Sequence, residues 1–148
     1  MLGSLARWLR FAGFDTRFEP AWRGPALAGL ARAQGRWLLT RDRQLASLAG
    51  PRVVLIRGGG LAAQVGELRE RLDLPVDPTR FMSRCAECNG DLREVDREAV
   101  AERVPPFVAA HGERFRRCAG CGRVYWPGTH AGRIAARLEE LFLTARPR

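Results

Sequence analysis

The chain has 148 residues, 46% of them apolar, and a formal net charge of +9 from 25 basic and 16 acidic side chains. This length allows one ordinary domain, or a small domain joined to a metal-stapled module. No apolar run is long enough to span a bilayer, and MLGSLARWLRFAG lacks the unbroken apolar core and cleavage site of a secretory signal, so a soluble cytoplasmic protein with no membrane partner is expected.

In chain order, Leu2, Leu5, Ala6, Leu9 and Ala12 recur at helical spacing, and Gly13 ends that helix. Phe14 to Phe18 reads as short and extended. PALAGLARAQ (25–34) is a second helix, with Pro25 in its first turn and Gly35 just beyond its end. Trp37-Leu38-Leu39-Thr40 suits a buried strand, Asp42 to Ala49 returns to helical spacing, and Val53-Val54-Leu55-Ile56 is the strongest strand signal. A further amphipathic helix covers 61–72. Helices alternating with apolar strands imply a parallel sheet with helices on its faces, whose ligands sit beyond the carboxyl ends of the strands. Asp42 and Gly58-Gly59-Gly60 fall at that edge. Residues 1–73 are therefore one α/β domain and LPVDPTR (74–80) is a linker. Short segments and turns follow over 81–130, and a helix and tail close the chain over 131–148.

Cys85-Ala86-Glu87-Cys88 and Cys118-Ala119-Gly120-Cys121 are two C-x-x-C knuckles with 29 residues between them. Each such turn presents two thiolates to one ion, and two turns complete the tetrahedral shell that Zn²⁺ takes. Gly90 and Gly122 follow the knuckles, where a tight turn favours positive φ. The strand-like Arg123-Val124-Tyr125-Trp126 completes a zinc-ribbon pattern. A disulfide framework or a redox pair are the alternatives; a cytosolic setting disfavours the first, and a redox motif has no need of two knuckles. Four thiolates leave no open position, so the zinc is expected to be structural.

Asp42, just beyond a buried strand, can hold Mg²⁺ or Mn²⁺ for hydrolysis of a phosphodiester, or it can cap the helix that follows. At this point the chain resembles the Mut-seven C-terminal RNase family. The matching pieces are MLGSLARWLRFAGFDT (1–16), LLTRD (38–42), SRCAECNG (83–90), ERVPP (102–106) and RCAGCGRVYWPGTH (117–130), in the family's order and over essentially the whole chain. The resemblance implies a PIN-like three-layer α/β/α sandwich with a mostly parallel sheet, then a zinc ribbon and a C-terminal helix. It also implies a divalent-metal ribonuclease activity on RNA. Asp42 would be the main catalytic metal ligand, and Asp15 also matches a family position. Glu19 lies nearby.

The chain departs from the pattern in three places. Family domains begin with an Asp-bearing strand before the MLG segment, which this sequence lacks, so its natural start lies upstream or the fold has adapted. Gly24-Pro25 and Gly58-Gly59-Gly60 stand where acidic residues are usual. One carboxylate seldom holds Mg²⁺ without substrate phosphates, so weakened activity is expected, and a catalytically inactive RNA- or ribonucleoprotein-binding module is the alternative.

All 25 basic residues are Arg, shared between the halves: 12 Arg against 7 acids in 1–78, and 13 against 9 in 79–148. A polyanion such as RNA fits this, since Arg binds phosphate bidentately; compositional bias fits it equally. Arg7, Arg10, Arg41 and His130 are the candidate substrate contacts. Arg7 and Arg10 share a helix face, and a solvated face is the plainer reading. Thr129 can N-cap the last helix, with His130 beginning it. The glycine run can offer N–H groups to phosphate or be a plain loop. Trp8, Trp22 and Trp37 can stack on bases, though Trp8 and Trp37 sit in core-like patterns, and His111 falls in a turn.

Overall fold

The apolar spacing of the first residues produces α1 (Gly3–Phe11), in which Leu5, Ala6, Leu9 and Phe11 are buried, followed by buried Ala12. Gly13 stops it at φ +91; a Cβ there would stand 2.7 Å from the Arg80 carbonyl oxygen, so both backbone conformation and space demand glycine. The structure, a computed structural model, describes residues 2–144. Within these, the chain divides into two compact units. One takes residues up to Ala6 and Phe18–Pro75; the other takes Arg7–Arg17 and the residues from Val76 onward.

In the first unit, α2 (Gly24–Ala33) begins with Pro25 in its first turn and is followed by Gly35 at φ +62. Strand β1 (Leu38–Thr40), helix α3 (Arg43–Leu48) and strand β2 (Val53–Leu55) form a β-α-β crossover. The strands pair in parallel, Leu38 opposite Val53, Leu39 opposite Val54 and Thr40 opposite Leu55. The ladder runs on through the Leu38 amide to the Arg52 carbonyl (2.9 Å) and the Ile56 amide to the Thr40 carbonyl (2.7 Å). Ala28, Leu38, Leu45 and Ala49 form its core, with Leu27, Ala31 and Val53 against them. Helix α4 (Leu61–Arg71) buries Gln64, Val65 and Leu68. Trp37 is not a core residue: it is 48% exposed. The strand begins at Leu38, which points inward, and alternation turns the preceding side chain the other way.

The second unit carries an antiparallel sheet in the order β3 (Leu92–Val95), β4 (Phe115–Cys118), β5 (Val124–Tyr125). Short helices α5 (Arg97–Val100) and α6 (Pro106–His111) connect β3 to β4. The ERVPP segment places Val104 in a core with Val100 and Phe115, on which Val95, Val108, Ala109, Val124 and Trp126 pack. Pro105 and Pro106 then start α6, and His111 is its last residue rather than part of a turn. The final helix α7 (Thr129–Leu138) continues into a π-helical turn, Glu139–Leu143, that buries Leu141 and Phe142. Its N-cap is Gly128 in an extended conformation, not Thr129, which is already the first helical residue. The expected helix end at Ala145 and the tail of the 131–148 segment lie outside the described residues.

The molecule is thus a mixed α/β protein with a small parallel sheet and a separate antiparallel one. Phe14 to Phe18, expected to be extended, joins neither sheet. Among the described residues no helix is long and apolar enough to cross a membrane.

Candidate functional site

The four cysteines converge. Their sulfurs all lie within 4.8 Å of one another, with Cys85 Sγ 3.7 Å from Cys121 Sγ and Cys88 Sγ 3.3 Å from Cys118 Sγ. A tetrahedron of Zn–S bonds of about 2.3 Å has S–S edges of roughly 3.8 Å, so these spacings fit a four-thiolate shell. Among the described residues this is the one group of three or more Cys, His, Asp or Glu that could hold a metal ion. Cys85 and Cys118 are buried, while Cys88 and Cys121 are exposed.

The cluster is built from both knuckles and the strands beside them. Cys118 ends β4, where the Gly120 and Cys121 amides donate to its sulfur at 3.3 and 3.4 Å. Burial opposes ionisation of Cys118, but those amides and the Cys88 thiol outweigh it and bring its pKa down to about 7. Burial, with the neighbouring cysteines, pushes Cys88 up to about 12. A dication relieves this crowding by stabilising every thiolate at once. Tyr125, on β5, sets its hydroxyl 3.1 Å from Cys85 Sγ and accepts the Ala86 amide at 3.2 Å. Burial, then Cys85, raises the Tyr125 hydroxyl above its ordinary range, so it remains a neutral donor.

The glycines act differently from expectation. Gly122 has φ +77, as a tight turn requires, but in the first knuckle Asn89 takes the left-handed conformation, at φ +71. Gly90 is required by space instead: a Cβ there would lie 2.7 Å from Cys118 Sγ and 3.3 Å from Cys88 Sγ.

Three candidate residues from the N-terminal motif gather around the first knuckle. Arg10 is only 6% exposed. Its Nε donates to the Thr16 carbonyl (2.8 Å) and its Nη1 to the carbonyls of Ala86 (2.9 Å) and Glu87 (3.1 Å). Arg7, one turn earlier, pairs with the Glu87 carboxylate at 3.4 Å and lies 5.7 Å from the Phe11 ring centre. Asn89 donates to Asp15 Oδ1 (2.7 Å) and accepts the Thr16 amide (2.9 Å). LARWLR…FDT and CAECN are therefore two halves of one arrangement, a link that helical spacing alone did not reveal.

The other candidates lie at the carboxyl edge of the parallel pair. Asp42 is exposed and caps α3, its Oδ1 accepting from the amides of Gln44 (2.9 Å) and Leu45 (3.1 Å). Arg41 Nη1 donates to the Gly58 carbonyl at 2.6 Å. The carboxylate of Glu67, a residue that the sequence reading missed, accepts from the Arg57 amide (2.9 Å) and from the Gly58 amide. It sits on α4 three residues after Gln64, whose amide also reaches the Gly58 carbonyl (3.1 Å). Gly58 is pinned, and a Cβ on it would meet Ala63 and Glu67 at 2.9 Å. Glu67 thus supplies a carboxylate where the glycine run suggested none. His130 is exposed in the first turn of α7. Trp8 is partly buried and packs edge-on against Phe11 at 5.4 Å, and Trp22 is partly buried.

The family model of the Mut7-C RNAse domain matches residues 1–138 of this chain. The chain belongs to that family. No curated protein and no solved structure matches it. Membership of the Mut7-C RNAse domain family suggests a ribonuclease-type function and interaction with RNA, and the match takes in both the parallel pair and the cysteine cluster.

Proposed function

We propose that this Mut7-C RNAse domain protein hydrolyses RNA phosphodiesters through a PIN-like α/β/α domain, residues 1–73, joined by 74–80 to a zinc ribbon at 81–130 and a terminal helix at 131–148, with segment 7–17 of the first domain belonging to the compact unit that carries the cysteines. The observation that carries the reading is the parallel β1–β2 pair, which presents Arg41, Asp42 and the Gly58 loop at one edge in a chain of this family. Asp42 is the principal candidate ligand for Mg²⁺ or Mn²⁺, and Asp15 a second candidate. Arg41, Arg7 and His130 would contact substrate phosphates. Arg10 retains Nη2 for that purpose, its other donors being committed to carbonyls. The four cysteines hold Zn²⁺ as a closed structural site, consistent with their tetrahedral spacing.

The carboxylates do not by themselves fit a hard cation. Asp42 spends one oxygen on two helix amides, and octahedral Mg²⁺ needs further oxygens from water and substrate. No other group of three or more acids or histidines gathers among the described residues. This supports a second reading, in which the protein binds RNA without cutting it.

Cleavage of single-stranded and structured RNA in Mn²⁺, by the wild type and Asp42→Asn, tests the proposal. Asn keeps the helix cap, so only the negative charge is lost. Loss of cleavage in Asp42→Asn supports the enzyme; equal rates refute the role of Asp42; salt-sensitive binding without any cleavage establishes the second reading.

A further inference from the structure

The ribbon sheet contains a pairing that folding alone does not favour. In the β3–β4 register Arg93 stands directly opposite Arg117, and β4–β5 continues the row to Val124. Opposed residues of an antiparallel pair share a face, with Cβ atoms about 4.5–5.5 Å apart, and like charges so placed repel. Arg93 is exposed and Arg117 partly so. Among the described residues neither guanidinium makes a hydrogen bond or an ion pair, and neither does that of Arg103. The Arg103 guanidinium lies against Gly122, where a Cβ would stand 3.5 Å from Nη1 and 3.7 Å from Nη2. Gly122 precedes by two residues Val124, the cross-strand partner of Arg117.

The two acids that flank Arg93 in sequence are engaged elsewhere. Asp91, on the same face two residues before Arg93, pairs with Arg84 at 3.8 Å. Glu94 points to the opposite face and pairs with Arg114. Other arginines of this unit are also satisfied: Arg10 by carbonyls, Arg97 by the carbonyls of Ala110 and Gly112, and Arg116 by the carbonyl of Met82. Part of this unit's arginine set is thus committed to carbonyls and acids, while the Arg93–Arg117 pair is not. Two arginines whose backbones the sheet holds side by side can each meet a phosphate through a planar fork of donors, and such contacts release counterions.

We infer that Arg93 and Arg117, extended by Arg103, form a phosphate-binding strip on the zinc-ribbon sheet that holds the backbone of single-stranded RNA. This rests on RNA being the partner in the function proposed above, but it needs neither Asp42 nor cleavage. The strip assigns the ribbon a share of substrate binding, with the cysteine cluster fixing the hairpin that carries Arg117.

The test is anisotropy titration of zinc-loaded, full-length protein with labelled oligouridine, without Mg²⁺ or Mn²⁺, over about 50 to 300 mM salt. Arg93→Gln/Arg117→Gln is compared with a charge-matched control, Arg32→Gln/Arg133→Gln. Each lost single-strand phosphate contact removes about 0.7 from the salt slope, hence roughly fivefold in affinity near 100 mM and about 25-fold for the pair. The control is expected to change affinity by less than about threefold, since it removes the same net charge without removing the opposed pair and acts only through salt-screened electrostatics. Relief of the opposed charges should leave the unfolding midpoint of the Arg93/Arg117 variant unchanged or raise it by about 1–4 °C. Equal losses in both double variants would overturn the strip while leaving RNA binding intact. A clearly lowered midpoint in Arg93→Gln/Arg117→Gln would make the pair structural and also overturn it. Failure of the wild type to bind oligouridine at low salt would overturn both the strip and the RNA-directed reading.

Discussion

Replacing Arg10 by Met separates the clasp around the first knuckle from any role in RNA contact. Met retains most of the aliphatic length but none of the donors. Three carbonyls then lose their partner: Ala86, whose bond is buried, and Thr16 and Glu87, whose bonds are partly buried. Bonds from a charged donor are worth about 1.5–3 kcal/mol each, and relief of the buried guanidinium's desolvation offsets part of the total, leaving a net loss of about 3 kcal/mol. For a chain of this size that corresponds to a midpoint lowered by roughly 6–12 °C. Arg7→Gln is the internal comparison. Its ion pair joins side chains that are 55% and 44% exposed and should cost less than about 1 kcal/mol. Thermal unfolding of both zinc-loaded variants, with competition against a chromophoric chelator, makes the measurement. Arg10→Met should also weaken zinc affinity by about 10–100-fold, because its carbonyl partners orient the Cys85–Cys88 turn. Equal midpoints and equal zinc affinities for Arg10→Met and Arg7→Gln would contradict this role of Arg10.

Gly90→Ala should reduce zinc retention sharply, since the new methyl would press on Cys118 Sγ at 2.7 Å; metal content after dialysis checks this, and full occupancy would contradict it. Tyr125→Phe removes the hydroxyl shared by Cys85 and the Ala86 amide, and should cost about 1–2 kcal/mol of stability in denaturant titration. Asp42→Ala should lose about 1 kcal/mol through the α3 cap while Asp42→Asn loses little, as unfolding midpoints would report. The Arg114 guanidinium holds the Glu94 carboxyl below its ordinary 4.5. The stability this adds is present above the unfolded-state value and lost as pH falls through the lower folded value. Wild type and Glu94→Gln should therefore converge in midpoint once acidification passes below the lowered folded-state value, and a difference that persists in strong acid would contradict the pairing.

The elements that sequence periodicity disclosed are those whose burial is local. Leu38 to Thr40, Val53 to Leu55 and the helices around them carry uninterrupted apolar signals. Strands β3 and β4 carry LREV and FRRC, in which charged residues mask the alternation, so they were not separable from turns. Cysteine spacing disclosed the metal cluster because four thiols at that separation have few other uses. It could not disclose Arg10, whose partners Ala86 and Glu87 are 76 and 77 residues away and are backbone atoms with no side-chain signature. Glu67 was missed for a similar reason, because it acts at Gly58 from a helix nine residues further on. Asp42 was legible in position and ambiguous in role; its cap geometry is visible, and its chemistry rests on the assay.

Residues 7–17 and the cysteine knuckles form one unit in this Mut7-C RNAse domain protein, and its integrity should depend on zinc. Hydrogen exchange of the zinc-loaded chain, before and after removal of the metal with a strong chelator, tests it most directly. Amides in 7–17 should lose protection together with those in 83–90 and 117–123, while 38–40 and 53–56 keep theirs. Retention of full protection in 7–17 after zinc is gone from the knuckles would contradict it.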